Sequence, residues 1–137
     1  MRYFIGVASR EHVRVGVDGG FAQFSHGKLS PARRLSKGDW LIYYSAKEKY
    51  GEPKPCQKFT AIGQIVDSEP VQVEQAPGFK PWRRKVKYRR AKEADVHPLI
   101  ERLAFVKNKD RWGTAFRFGL LQIDESDFGV IVKQMLT

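Results

Sequence analysis

The chain has 137 residues, enough for one domain with a hydrophobic core and too few for two. Hydrophobic residues make up 42% and aromatic residues 12%, which excludes an intrinsically disordered chain. Its 25 Lys and Arg outnumber its 15 Asp and Glu, giving a net charge of +10, and so basic a domain attracts polyanions, nucleic acid first among them.

Three segments in the first half of the chain are rich in β-branched and aromatic residues and are predicted strands: residues 2–8, 40–45 and 59–66. Ser9 suits the N-cap of a helix that runs to about residue 17. Ser30 and Pro31 open a second, shorter helix, because proline is favoured in a first turn. Two stretches between these elements are predicted loops: residues 21–28 and 46–58.

Three further strands are predicted in the second half: residues 71–73, the core of 80–92, and 114–123. A short helix begins at His97, and a last helix runs from about Glu125 to Met135 with Asp124 as its N-cap. Strand–helix–strand units do not recur, so a doubly wound parallel sheet is not expected. The sequence predicts one α+β domain over residues 1–137, a mostly antiparallel barrel of five to six strands with short peripheral helices.

The N-terminal apolar stretch is too short for a signal peptide, and no apolar run could span a membrane. We therefore expect a cytoplasmic protein that does not bind membranes, with a monomer favoured. The lone Cys56 excludes an internal disulfide and a cysteine zinc cluster. His12, His26 and His97 have no metal-ligand spacing, so we expect neither a metal nor a cofactor.

Eight cations and no acid lie within residues 80–92. Strand alternation puts Trp82, Arg84 and Val86 on one face and leaves the other face wholly cationic, which is costly unless it meets solvent or an anion. A second basic group lies upstream, and the sequence leaves open whether the two groups share a surface. The predicted phosphate-binding residues from both groups are Lys28, Arg33, Arg34, Arg83, Lys85, Lys87 and Arg89.

The loop over residues 19–28 combines three glycines with two aromatic residues, an amide and an imidazole. Glycines allow close approach of a ligand, the Gln23 amide can pair with a base edge, and Phe21 can stack on a base. The alternative is an ordinary loop whose phenylalanines fill the core. Among the tryptophans, Trp82 is predicted to face a ligand, whereas Trp40 and Trp112 are assigned to the core.

Enzyme motifs are absent from the sequence. It has neither a Gly-x-Ser-x-Gly nucleophile elbow nor a Gly-x-x-x-x-Gly-Lys-Ser/Thr phosphate loop. A hydrolase would have to use His26 with Ser25 or Ser9, and we keep this as an alternative. We predict that the protein is not an enzyme.

Six segments, in order and spanning nearly the whole chain, resemble the EVE domain family: Gln23-x-x-His26-Gly27-Lys28, Lys37-Gly38-Asp39, Ile42-Tyr43-Tyr44-Ser45, Phe59-Thr60-Ala61-Ile62-Gly63, Trp112-Gly113-x-x-Phe116-Arg117-x-Gly119 and Asp127-Phe128. The resemblance implies the PUA-like pseudobarrel, which the YTH and ASCH domains share. It also implies recognition of a base, since YTH relatives bind N6-methyladenine in an aromatic cage and EVE domains are thought to read modified bases in DNA or RNA.

Carried over by position, the resemblance implies a base-binding pocket built from Ser9, His12, Phe21, Gln23, His26, Gly27, Tyr44, Ser45, Phe79 and Trp82. One departure is plain: YTH domains place a tryptophan after the glycine-rich turn, where this chain has Phe21-Ala22-Gln23. The amide of Gln23 suits recognition of a polar base edge instead.

The sequence thus predicts a non-enzymatic module that binds DNA or RNA and reads a modified nucleobase in a small pocket beside a basic face. A second reading is a module of the same fold that binds a small molecule or a protein partner. The hydrolase is the third.

Overall fold

The computed structural model describes residues 1–136. Within them the eight strands are β1 Tyr3–Val7, β2 Phe21–Ala22, β3 Trp40–Lys47, β4 Pro55–Ile65, β5 Val71–Gln72, β6 Trp82–Tyr88, β7 Ala94–Asp95 and β8 Leu120–Ile123. The α-helices are α1 Arg10–Gly19, α2 Leu29–Arg33 and α3 Glu125–Met135. Two 3-10 helices span His97–Arg102 and Lys109–Phe116.

The strands form one curled half-barrel sheet in the order β2-β6-β4-β3-β1-β8, with β5 added to β6 and β7 to β4. Every pairing is antiparallel except that of β1 with β3. The predicted α+β class and mostly antiparallel barrel are therefore confirmed. Five strands have four or more residues, and the two-residue strands β2 and β7 were not predicted.

The central strands are buried on both faces, which explains their continuous apolar sequences. Because side chains alternate along a strand, Phe4 and Tyr43 point into the curl of the sheet, where α1 and α2 cover them. Ile5 and Tyr44, their chain neighbours, point the other way, beneath α3 and the two 3-10 helices. The sheet therefore separates two hydrophobic cores.

The cap predictions hold at both longer helices. The Ser9 side chain accepts a hydrogen bond from the main-chain N–H of His12 at 3.2 Å, and Asp124 caps α3 through the N–H of Asp127 at 2.8 Å. The Asp127 carboxylate accepts main-chain N–H groups of residues 104 and 105. It therefore fastens the segment between the two 3-10 helices to the first turn of α3.

The strand predicted over residues 114–123 is wrong in its first half. Residues up to Phe116 belong to the second 3-10 helix, where Trp112 and Phe116 both pack into the core with ring centroids 6.4 Å apart. Tertiary burial of these aromatics outweighs their preference for strands. The strand begins only at Leu120, which leaves residues 117–119 free to border a cavity.

Alternation along β6 is as predicted: Arg84 and Val86 face inward, and Lys85 and Lys87 face solvent. Arg84 is fully buried, and its Nε lies 2.8 Å from the Asp67 carboxylate. Its Nη1 donates to the main-chain oxygens of Ala32, at 2.9 Å, and of Leu35. This guanidinium therefore joins β6 to the end of α2 and to the turn after β4.

Candidate functional site

A cavity of about 730 Å³ opens where four segments meet at the carboxyl ends of the parallel strands β1 and β3. These segments are the start of α1, residues 23–26, residues 46–51 and residues 117–119. Because β1 and β3 are parallel, both strands end at this edge of the sheet. The segments that follow them form walls of the cavity.

Gln23 lies at the floor of the cavity and is only 4% exposed. Its main-chain oxygen accepts a hydrogen bond from the Tyr43 hydroxyl at 3.1 Å, and this bond fixes the position of Gln23. Its side-chain Oε1 is buried and finds no hydrogen-bond partner within residues 1–136. An unpaired buried amide oxygen costs about 1–3 kcal/mol, so this group is poised to pair with a ligand.

The loop after Gln23 has an unusual backbone. Ser25, His26 and Gly27 have φ angles of 50°, 61° and 84°, three successive left-handed residues. Gly27 is required because a Cβ there would overlap Pro81, and a Cβ at Gly119 would overlap the Ser25 side chain. The loop is thus held between two neighbouring segments, and its strain is typical of a functional site.

The rim of the cavity is aromatic and cationic. Tyr50 is 80% exposed and Phe118 is 70% exposed, and the ring of His26 meets Tyr50 edge-on at 5.2 Å. Three cations also line the cavity: Lys47, Lys49 and Arg117. Sequence reasoning missed Tyr50 and Phe118. For Tyr50 the available signal was a large aromatic residue in an otherwise polar predicted loop, whereas Phe118 lay within the strand predicted over residues 114–123.

His12 lies beside Gln23 in the cavity wall. Burial lowers the pKa of its imidazole, a hydrogen bond with the Gln23 main chain acts the other way, and the charge of His26 lowers the pKa further. His12 therefore favours its neutral form, in which the ring carries one donor and one acceptor.

This pKa shift predicts a pH dependence of stability. Below the unfolded pKa of about 6.5, the unfolded chain takes up a proton that the folded His12 resists. With respect to His12, the free energy of unfolding is therefore at its full value above about pH 6.5, and it falls as the pH drops towards the pKa of the folded state. We expect His12→Gln to lessen this fall, measured as the change in urea midpoint between about pH 7.5 and about pH 5.5. Equal changes in wild type and variant would contradict the assignment.

Of the predicted pocket residues, the structure brings four together in the cavity: Ser9, His12, Gln23 and His26. Gly27 stands directly behind this group against Pro81. The binding roles of these residues remain predictions.

The other predicted pocket residues lie away from the cavity lining. The Tyr44 ring stacks on Phe116 at 3.9 Å in the core, and the Ser45 hydroxyl lies 2.9 Å from that of Thr60. Tyr44 and Ser45 lie in the part of β3 that is buried on both faces, and only the last residues of this strand, Ala46 and Lys47, line the cavity.

Three aromatic residues from the predicted pocket lie around β6 instead. Trp82 is half-buried against the core that contains Phe4 and Tyr43, and Phe79 is exposed in the turn before β6. Phe21 lies beneath the guanidinium of Arg83, whose Cζ is 3.7 Å from the ring centroid. The aromatic rings at the cavity are therefore those of His12, His26, Tyr50 and Phe118.

The two predicted basic groups lie on opposite faces of β6. The end of α2 contacts Arg84 on the inner face, whereas Lys85 and Lys87 point outward and Arg89 lies over Trp40 at 5.8 Å. From the α2 group, Lys28, Arg33 and Arg34 are exposed, and the Arg34 guanidinium bonds to the Leu120 oxygen at 3.2 Å.

The fold is shared with solved structures of low sequence identity. The NMR structure of Rpa0253 from Rhodopseudomonas palustris matches with a TM-score of 0.58 and 12% identity, covering 98% of this chain and 92% of that one. A hypothetical protein from Leishmania major matches with a TM-score of 0.59 and 12% identity, covering 97% and 93%. At these identities the likeness shows the fold alone.

Sequence comparison carries the identification further. A UPF0310 protein of Mycolicibacterium vanbaalenii is 47% identical over 137 residues, which is 100% of this chain and 94% of that protein. A UPF0310 protein of Bacillus licheniformis is 48% identical over 128 residues, covering 93% and 87%. The EVE domain model matches residues 2–134, and the chain belongs to the EVE domain family. This membership suggests nucleic-acid binding as its general function.

The described residues offer neither a membrane-spanning helix nor a metal cluster. No helix in residues 1–136 is long and apolar enough to cross a membrane. The same residues hold no group of three His, Cys, Asp or Glu side chains placed to bind a metal ion.

Proposed function

We propose that this protein is a non-enzymatic nucleic-acid-binding module that takes one nucleobase, carrying a modification, into the cavity floored by Gln23. The observation that carries the proposal is the buried, unpaired Gln23 amide oxygen beneath a rim of aromatic rings and cations. An amide at the floor pairs with a base edge, and aromatic rings at the rim stack on its faces.

The cavity is large enough for a base with an added group. A volume of about 730 Å³ lies within the range of small-ligand pockets. A base inside a duplex cannot reach such a floor, so the nucleotide must be extruded or already single-stranded. A modified base binds more tightly than the plain base because its added group fills apolar volume beside the base edge that pairs with Gln23.

The arrangement of hydroxyls and imidazoles supports binding over catalysis. A serine nucleophile needs a base within hydrogen-bond reach. The Ser9 side chain is engaged as the cap of α1, and within the described residues no hydrogen bond joins a serine hydroxyl to a histidine ring. A hydrolase with His26 would require the loop at Ser25 to rearrange.

The test is direct binding, at two salt concentrations, to short DNA and RNA carrying plain or methylated cytosine or adenine. Salt-sensitive binding that tightens for one methylated base is the expected result. Binding indifferent to methylation would contradict base reading and leave a general nucleic-acid binder. Absence of binding at low salt would overturn the proposal and favour a small-molecule or protein partner.

Aromatic substitutions provide a second prediction. Stacking of a base on one aromatic ring contributes roughly 1–3 kcal/mol, so Tyr50→Ala and Phe118→Ala should each weaken binding of the preferred oligonucleotide about 5- to 150-fold. Both rings are exposed, so the urea midpoint should stay unchanged. The matched control is Phe79→Ala, an exposed aromatic residue away from the cavity. A greater loss for the Phe79 variant would place the base at the start of β6 instead.

A further inference from the structure

We infer that the bound nucleic acid is a single strand that leaves the cavity in one direction, along the outer face of β6, where Arg83, Lys85 and Lys87 hold three successive phosphates. This inference rests on the proposed function and adds the strandedness, the path and the one-sidedness of the ligand.

The cavity and the start of β6 are joined by direct contacts. The Trp82 main-chain N–H donates to the Gly27 oxygen at 2.8 Å, and Gly27 packs against Pro81. His26, the residue before Gly27, lines the cavity. A single-stranded nucleic acid that passes the His26 side of the rim therefore meets Arg83 as the first outward-facing cation of β6.

Spacing along β6 suits an extended nucleic-acid backbone. Alternate residues in a strand are about 6.6 Å apart and share a face, a separation comparable to that of neighbouring phosphates in an extended strand. Lys85 and Lys87 are exposed, and neither forms an ion pair with any of residues 1–136. They are therefore available to an external anion.

Arg83 is preorganised for the first of these contacts. Its guanidinium lies over Phe21, with Cζ 3.7 Å from the ring centroid, and its Nη2 donates to the Gln75 amide oxygen at 3.3 Å. Its buried Nε has no partner in the described chain. A side chain held in place loses little rotamer freedom on binding, so Arg83 should be the most effective of the three cations.

The opposite side of the cavity is unsuited to a phosphate backbone. Around the start of α1 and the loop after β3, the cations alternate with acids: Glu11 lies 3.7 Å from Lys49, and Glu48 is paired with Arg10 at 3.2 Å. Glu52, also exposed, follows in the same loop. A duplex would carry phosphates past both sides of the cavity, and the acids oppose one of the two paths.

The experiment measures binding of oligothymidylates and oligouridylates that contain one methylated cytosine or one methylated adenine. The flank is lengthened from zero to five nucleotides on the 5′ side or on the 3′ side. We expect affinity to rise stepwise with one flank, reach a plateau after about three nucleotides, and stay constant with the other. Each held phosphate should add about 0.7 to the slope of log affinity against log salt, or about 2 in total.

Variants assign the steps to residues. Arg83→Ala, Lys85→Ala and Lys87→Ala should each remove about 0.7 from the salt slope of the long-flank oligonucleotide and leave the flankless one unchanged. Lys133→Ala, an exposed cation on α3, is the matched control and should change neither.

Three results would overturn the inference while leaving the base pocket standing: equal gains on both flanks, tighter binding of the same site in a duplex, or flank gains unaffected by the β6 variants. Failure of every oligonucleotide to bind would overturn the proposed function and this inference together. If Gln23→Leu no longer binds the oligonucleotide without flanks but still gains affinity with each added flanking nucleotide, the cavity and the outer face of β6 are separate sites, as the inference requires.

Discussion

Arg84→Met is expected to lower the free energy of unfolding by about 3–5 kcal/mol, the range for removing one partner of a buried ion pair. The substitution leaves the Asp67 carboxylate without its guanidinium and strips hydrogen bonds from the main-chain oxygens of Ala32, Leu35 and Asp67. The link to the end of α2 is lost, and within residues 1–136 Asp67 in the turn after β4 keeps only the hydrogen bond from the main-chain N–H of Lys85. Urea unfolding followed by tryptophan fluorescence measures the effect.

The control for Arg84 is its chain neighbour. Lys85→Met removes the same charge from an exposed position and should change the unfolding free energy by no more than about 0.5 kcal/mol. If both variants unfold at the same urea concentration, the burial assigned to Arg84 is wrong. If Arg84→Met does not fold at all, Arg84→Lys tests the same point, because it keeps the charge but loses most of the hydrogen bonds.

Gln23→Leu is expected to separate stability from binding. Replacing the unpaired buried amide with an apolar side chain of similar size removes a desolvation cost, so the protein should gain up to about 1 kcal/mol in stability. Loss of the base-pairing amide should weaken the preferred oligonucleotide by about 10- to 100-fold and reduce discrimination between bases.

Gln64→Leu gives the matched contrast. The Gln64 side chain donates to the Gly38 oxygen at 3.0 Å, so its loss should cost about 1 kcal/mol of stability and leave binding unaltered. The same replacement of glutamine by leucine is therefore predicted to raise the free energy of unfolding at position 23 and to lower it at position 64. A Gln23→Leu variant that is less stable and binds normally would show that the amide is structural.

Local signals were sufficient for most of the sheet and for the longer helices. The strand patterns of β1, β3 and β6 and the caps at Ser9 and Asp124 depend on side-chain alternation and on neighbours three residues away. The placement of Arg84 on the same face as Val86 followed from the same alternation. Its partners did not, because Asp67 and α2 meet it only after the sheet curls.

The candidate site was predictable only in part. Gln23 and His26 came from composition and from family resemblance, and the fold brings them to the cavity with Ser9 and His12. Tyr50 and Phe118 are far apart in the chain, and they line one cavity because β3 and β8 both flank β1. Pairing of strands across the whole sequence decides that geometry, and no local pattern encodes it.

The position of β1 in the sheet also bears on how the chain is made. β1 pairs on one side with β3 and on the other with β8, where Tyr3 lies opposite Ile123. During synthesis, therefore, β1 leaves the ribosome long before β8, and its second edge stays uncovered until β8 has followed. Until then it presents an open, apolar strand edge of the kind that chaperones must shield. The side of the sheet that ends at β1 is therefore closed only after β8 has been synthesised.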